Sequence, residues 1–250
     1  MVILKTAREI ALMREAGRIS SGALREAGRA VQPGVSTLEL DSIIRSYIGK
    51  HGAVPSFLGY GGFPASACIS VNNVVIHGIP SAAQKLESGD IVSIDVGAML
   101  NGYHGDNAYT FACGEISPQA QQLVSATREA LYEGIRAAQP GNRLGDIGAA
   151  VQRYAEARSY SVVRDFVGHG VGAKLHEDPD VPNYGTPGKG VRLLPGMVIA
   201  IEPMINQGTA RVRVLSDGWT TVTADGRLSA HFEHTVAITS SGPVILTRPD

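Results

Sequence analysis

An internal repeat with one fixed offset constrains the fold more than any other feature of the chain. The tripeptide "QPG" stands at residues 32–34 and again at 139–141, 107 positions later (139 − 32). The segments "LESGDIVSID" (86–95) and "LLPGMVIAIE" (193–202) both fit L-x-x-G-x-[IV]-[VI]-x-I-[DE], again 107 apart (193 − 86). Tyr47 and Tyr154 share the offset. One match could arise by chance, whereas two multi-residue matches at a single offset indicate duplication. The period is too long for a solenoid. The 250 residues are therefore expected to form one domain of two similar halves, about 1–115 and 116–250, facing each other across a pseudo-twofold axis. Asp95 and Glu202 then occupy equivalent positions, each deep in an apolar run, and meet near that axis.

Local signals support the same plan. Thr6 followed by Glu9 is a capping box, and Ile10, Met13, Ile19 and Leu24 give one apolar side, so a helix is expected from about Thr6 to Ala30. After the first "QPG" a second helix is expected from Thr37 to about Lys50, then the Gly/Pro-rich "PSFLGYGGFPAS", then strands from Cys68 to about Phe111. The second half repeats helix, "QPG", helix, glycine-rich segment and strands. The formal net charge is −1 and no run of one sign appears, which argues against nucleic acid or an anionic membrane as partner. Cys68 and Cys113 form no C-x-x-C pair, so neither a disulfide scaffold nor a zinc finger is expected. The opening "MVILKTAREI" lacks the apolar core of a signal peptide, and a cytoplasmic location is expected.

The carboxylates raise the chemical question. In "IVSIDVGAMLNGYHGD" (91–106), Asn101-Gly102 is a strong hairpin signal. A two-residue turn there pairs Leu100 with Tyr103 and sets Asp106 opposite Gly97, two residues from Asp95 on the same face. The two aspartates become diagonal neighbours about 7–8 Å apart at the backbone. Glu202 lies in "MVIAIEPMI" and Glu233 in "AHFEHTVAI". Any one acid in a strand is most often a satisfied structural residue. Four such acids together would repel, and bound cations are the simplest remedy, two suiting four carboxylates better than one. Oxygen donors with imidazole indicate a hard or borderline divalent metal. The histidines that stand out are His77 in "VVIHGIP", His169 in "VGHGVG" and His176 in "KLHEDP". His51, His104 and His234 are expected to be structural or exposed. His231 stays open, since it shares a strand face with Glu233.

Taken together, "NNVVIHGIP", "IDVGAMLNGYHGD", "GHGVG…LHEDP", "AIEP" and "FEHTVAI" resemble the type I methionine aminopeptidases, in order and over essentially the whole chain. The resemblance implies the pita-bread α+β fold, a curved antiparallel sheet with helices on one side. It implies Asp95, Asp106, His169, Glu202 and Glu233 as ligands of two divalent ions (Co, Mn, Fe or Zn), with Asp106 and Glu233 bridging. It implies Glu202 as proton shuttle, His176 as hydrogen-bond partner of the substrate carbonyl, and His77 as contact to the scissile amide. Phe57, Tyr60, Phe63, Cys68 and Trp219 would line the methionine pocket. The implied reaction is removal of methionine from nascent polypeptide N-termini bearing a small second residue. The ribosome surface is then a natural partner, neither nucleic acid nor membrane is expected, and the chain is expected to be a monomer. This chain departs from the family pattern at Leu175, where an aromatic residue is frequent, and at His231, where Gln or another polar residue is common. Both departures bear on pocket shape. The alternatives are an X-Pro peptidase of the same fold and a non-catalytic binding member of it. The five intact ligand positions disfavour the latter.

Overall fold

In the computed structural model, which describes residues 1–248, two helix pairs lie over antiparallel strands. Helix α1 spans Ala7–Ala30 and α2 spans Thr37–Lys50. Each opens with the same reciprocal cap. Thr6 and Ser36 accept the N–H of Glu9 and Glu39, whose carboxylates accept the N–H of the cap residue in return. That satisfies two donors that the first helical turn leaves without partners. Helix α3 (Pro118–Ala137) starts with proline after the cap Ser117, and α4 spans Leu144–Glu156.

The turn contacts recur 107 residues apart. The Gly34 N–H donates to the Leu86 carbonyl (2.7 Å) and the Leu86 N–H to Val35 (2.8 Å). Gly141 donates to Leu193 (2.9 Å) and Leu193 to Asn142 (2.8 Å). Gly34 and Gly141 both have φ +91°, a left-handed conformation that favours glycine at the end of "QPG".

The hairpin has the expected register. Strand Ile91–Leu100 pairs with Tyr103–Ala112, Leu100 facing Tyr103 and Gly97 facing Asp106. Asn101 (φ 52°) and Gly102 (φ 79°) form the turn, both left-handed as a type I′ turn requires. The other edge of Ile91–Leu100 carries Val54–Pro55 and Cys68–Val71. A five-stranded sheet runs Gly242–Ile245, His234–Thr239, Val198–Ile201, Gly168–Gly170, Glu177–Val181. Every pairing is antiparallel.

Among the described residues the curved sheet is divided into four hydrogen-bonded ladders, of four, three, three and five strands. Glu233 exchanges backbone hydrogen bonds with Ala108 where the halves meet, and threonine hydroxyls complete the join. Thr235 Oγ1 accepts the Asp106 N–H (3.0 Å) and donates to the Asp106 carbonyl (2.7 Å). Thr110 Oγ1 does the same for the backbone of His231 (3.0 and 2.8 Å).

Alternation along the strands separates core from site. Val92, Ile94, Val96 and Ala98 are buried beneath α1 and α2 with Leu40, Ile44 and Ile48. Asp95, between them, faces the other way. Ile199 and Ile201 are buried with Leu131, Ile147 and Phe232 under α3 and α4. Helix α1 sits so close to the hairpin that a Cβ on Gly105 would overlap the backbone of Gly17. Among the described residues, no helix is long and apolar enough to cross a membrane.

Candidate metal centre

The hairpin register sets Asp95 and Asp106 diagonally on the face away from the helices. The glutamates arrive differently from the expectation that they lie within strands. Strand Val198–Ile201 ends just before Glu202, and Glu233 falls between Ser229–His231 and His234–Thr239. Pro203, which has no N–H to donate, ends the first ladder there. His234 is the partner of Ile201 in that ladder, so Glu233 and Glu202 leave it side by side.

His169 is carried on the short strand Gly168–Gly170. A Cβ on Gly168 would overlap the Ala200 carbonyl oxygen, and one on Gly170 the Asp178 carbonyl oxygen. The glycines flanking His169 are therefore required by close strand packing. His169 Nδ1 lies 2.9 Å from the Gly170 carbonyl oxygen. A proton on Nδ1, donated to that oxygen, leaves Nε2 with its lone pair toward the carboxylates, 3.5 Å from Glu202 Oε1 and 3.9 Å from Asp106 Oδ2.

Donor atoms of Asp106, His169 and Glu233 lie within 4.8 Å of one another, and so do those of Glu202, His231 and Glu233. Asp95 Oδ1, Asp106 Oδ1, Glu233 Oε1 and His231 Nε2 are buried without a hydrogen-bond partner. Burial first, and then the neighbouring carboxylates, pushes the carboxyl groups of Asp95 and Glu233 well above the usual range. Burial and then Glu202 push Asp106 up to about 8, and burial takes Glu202 to about 8. Burial, then His176, lowers His169 to about 3; burial lowers His231 to about 3. Protonated carboxyl groups beside neutral imidazoles, with several donor atoms unsatisfied, are what a cation site looks like before a cation compensates it.

All five residues expected in the pocket (Phe57, Tyr60, Phe63, Cys68 and Trp219) line one cavity of about 180 Å³. Asp95, Asp106, His169, Glu202 and Glu233 line it too, as do His77 and His176. Phe63 stands edge-on to Trp219, ring centres 5.2 Å apart. His176 Nδ1 lies 2.7 Å from the Tyr60 hydroxyl. His77 holds a left-handed backbone (φ 59°), with its ring 5.6 Å from Phe166 and 6.1 Å from Trp219. Burial first, then His231 and His176, lowers it to about 4.

Leu175 and Gly61 also line the cavity, and Phe166 flanks His77 from an adjoining cavity of about 760 Å³. No motif marks Phe166 or Gly61; Leu175 is signalled only by its place beside His176. The remaining histidines stand apart. His51 is exposed and stacked on Tyr47, His104 is buried with Nδ1 2.8 Å from Ser56 Oγ, and His234 Nδ1 lies 2.9 Å from Thr247 Oγ1. His231 is the exception, buried against Glu202 with Nε2 3.6 Å from Oε2.

A family model described as metallopeptidase family M24 matches residues 11–240. The chain is 58% identical over 247 residues to the methionine aminopeptidase of Clostridium perfringens, covering 99% of each protein. It is 55% identical over 248 residues to methionine aminopeptidase 1 of Bacillus subtilis, covering 99% of this chain and 100% of that one. The crystal structure of methionine aminopeptidase from Thermotoga maritima superposes with a TM-score of 0.98 at 46% identity, covering 99% of this chain and 100% of the other.

Proposed function

This chain belongs to metallopeptidase family M24, and from that premise we propose that it is a methionine aminopeptidase of type I, removing the N-terminal methionine from new polypeptides with a small second residue. The observation that carries the reading is the single cavity that joins an apolar, aromatic pocket to the carboxylate cluster. A methionine side chain fits the first and a scissile peptide meets the second.

The donor set fits divalent metal. Buried carboxylate oxygens without partners and a His169 ring with Nε2 turned to them match hard or borderline ions. Asp95, Asp106, His169, Glu202 and Glu233 would hold two of them, from Co, Mn, Fe or Zn. Such ions would supply Lewis acidity, lowering the pKa of water so that it can give up its proton and attack a carbonyl near neutral pH.

The chain's own groups do the rest. Phe57, Tyr60, Phe63, Cys68 and Trp219 grip the methionine side chain and fix the scissile bond beside the carboxylates. Glu202 takes a proton from the attacking water and returns it to the nitrogen as the C–N bond breaks. A Tyr60 hydroxyl donating to His176 Nδ1 keeps the proton on Nε2, the tautomer that donates to the developing oxyanion. His77 meets the scissile amide and steadies the leaving amine. A bulky second residue would crowd the cluster, so small ones are favoured.

We read the chain as one catalytic unit of two related halves, 1–115 and 116–250, acting as a monomer in the cytoplasm on chains emerging at the ribosome surface. The test is a metal-reconstituted sample assayed on Met-Ala-Ser and on an Ala-Pro peptide, with Asp106→Ala beside it. Cleavage of the first alone, lost in Asp106→Ala, supports the reading. Cleavage of Ala-Pro alone moves the function to an X-Pro peptidase. Cleavage of neither, with metal bound, refutes a peptidase role.

A further inference from the structure

His231 has no part in the five-residue ligand set, yet its ring is built into the centre. Its strand Ser229–His231 pairs with Met204–Asn206, setting His231 opposite Met204. Thr110 Oγ1 holds both its N–H and its carbonyl. The residue is 1% exposed, and Nε2 is buried with no hydrogen-bond partner. A nitrogen that secured cannot swing out to solvent to find one.

The distance to Glu202 separates two roles. Nε2 lies 3.6 Å from Glu202 Oε2, whereas a hydrogen bond between nitrogen and a carboxylate runs about 2.7–2.9 Å. Two donors on one ion, each about 2.0–2.2 Å from it, lie roughly 2.8–3.6 Å apart at octahedral to tetrahedral angles. The other oxygen of Glu202 gives a close comparison, with His169 Nε2 3.5 Å from Oε1. Glu202 thus has an imidazole at ligand spacing on each oxygen. The two donor groups, Asp106–His169–Glu233 and Glu202–His231–Glu233, share only Glu233.

We propose that His231 Nε2 is itself a metal ligand, so that each of two ions in this centre has its own imidazole, His169 on one and His231 on the other, with Glu233 between them. The inference rests on the two-ion reading above. Asp95 stands outside both donor groups, beside Asp106. A second imidazole favours Zn, Fe or Co over Mn, which prefers oxygen donors.

The experiment loads metal-free protein with Co(II). It counts bound ions by equilibrium dialysis and counts ligated imidazoles by the hyperfine-shifted, solvent-exchangeable N–H signals in the proton NMR spectrum. The same samples are assayed on Met-Ala-Ser. Two Co(II) with two such signals are expected in the unaltered chain. His231→Gln should keep one signal and bind the second Co(II) at least tenfold more weakly, the first within threefold of its original affinity. Two Co(II) with a single signal would overturn the His231 assignment and leave the two-ion reading standing, even if His231→Gln weakened binding. A chain that takes up only one Co(II) would overturn both. The count in the unaltered chain does not depend on whether the variant folds.

Discussion

Removing the metal and raising the pH from 7 to 8 should unfold this protein more easily, by an amount the centre itself sets. Without a cation, Asp95, Asp106, Glu202 and Glu233 share a cavity that penalises their charge. Asp106 and Glu202 titrate at about 8, and Asp95 and Glu233 are raised well above the usual range, burial being the first cause in each case. An unfolded chain releases the same protons near pH 4. The folded state therefore holds more protons, and its stability, full below about pH 4, is lost as pH rises toward and through the folded values, by about 1.4 kcal/mol per pH unit for each proton retained. Histidines work in the opposite sense at lower pH. His169 and His231 are lowered to about 3, and His77 and His234 to about 4. Each contributes stability above its unfolded value near 6.5 that is lost as pH falls. From pH 7 to 8 they are nearly neutral in both states and offset less than about 1 kcal/mol in total. Over that unit Asp106 and Glu202 lose about 1 kcal/mol each, and the loss from Asp95 and Glu233 outweighs the histidine offset, a net fall of at least about 2 kcal/mol. With a urea slope of up to about 3 kcal/mol per molar, the midpoint of chelated protein should drop by roughly 1 M. Metal-loaded protein should show no such drop, because the ion keeps the carboxylates ionised at both pH values. A chelated sample whose midpoint holds or rises between pH 7 and 8 would refute the reasoning.

Three substitutions probe what positions the site. Thr235→Val keeps the side chain's shape but strands the N–H and carbonyl of Asp106. It should cost about 1–3 kcal/mol in urea unfolding. Gly170→Ala drives a Cβ into the Asp178 carbonyl oxygen, a backbone atom that cannot swing aside. It should cost about 1–3 kcal/mol and reduce bound metal in dialysis, since His169 is the neighbouring residue. His77→Asn accepts the same left-handed backbone. On Met-Ala-Ser its kcat should fall about 100-fold with metal content unchanged; a fall of less than threefold would remove His77 from the reaction.

Much of this was legible in the sequence because it rests on local rules. Asn-Gly sets a two-residue turn, strand side chains alternate with period two, and so Asp95 and Asp106 share a face before any tertiary contact is known. The left-handed glycine at the end of each "QPG" and the recurring contacts of Leu86 and Leu193 follow from the 107-residue offset in the same way. The cavity walls were less accessible. Phe57, Tyr60, Phe63, Cys68 and Trp219 came from family resemblance, whereas Phe166 and Gly61 carry no motif.

His104 and His231 mark where the sequence stops being sufficient. Each stands two residues before a carboxylate of the centre, His104 before Asp106 and His231 before Glu233. Periodicity treats them alike. In the fold, His104 lies near the end of its hairpin, where Ser56 meets its ring and Gly172 accepts its N–H. His231 lies at the join of the two halves, where Thr110 clamps its backbone and Glu202 arrives from the other side of Pro203. A side chain's face is decided by its own strand, but its partner is brought from a distant part of the chain, here 29 residues away for His231 (231 − 202) and 48 for His104 (104 − 56). Only the packing of the halves decides which of two equivalent histidines meets the carboxylates.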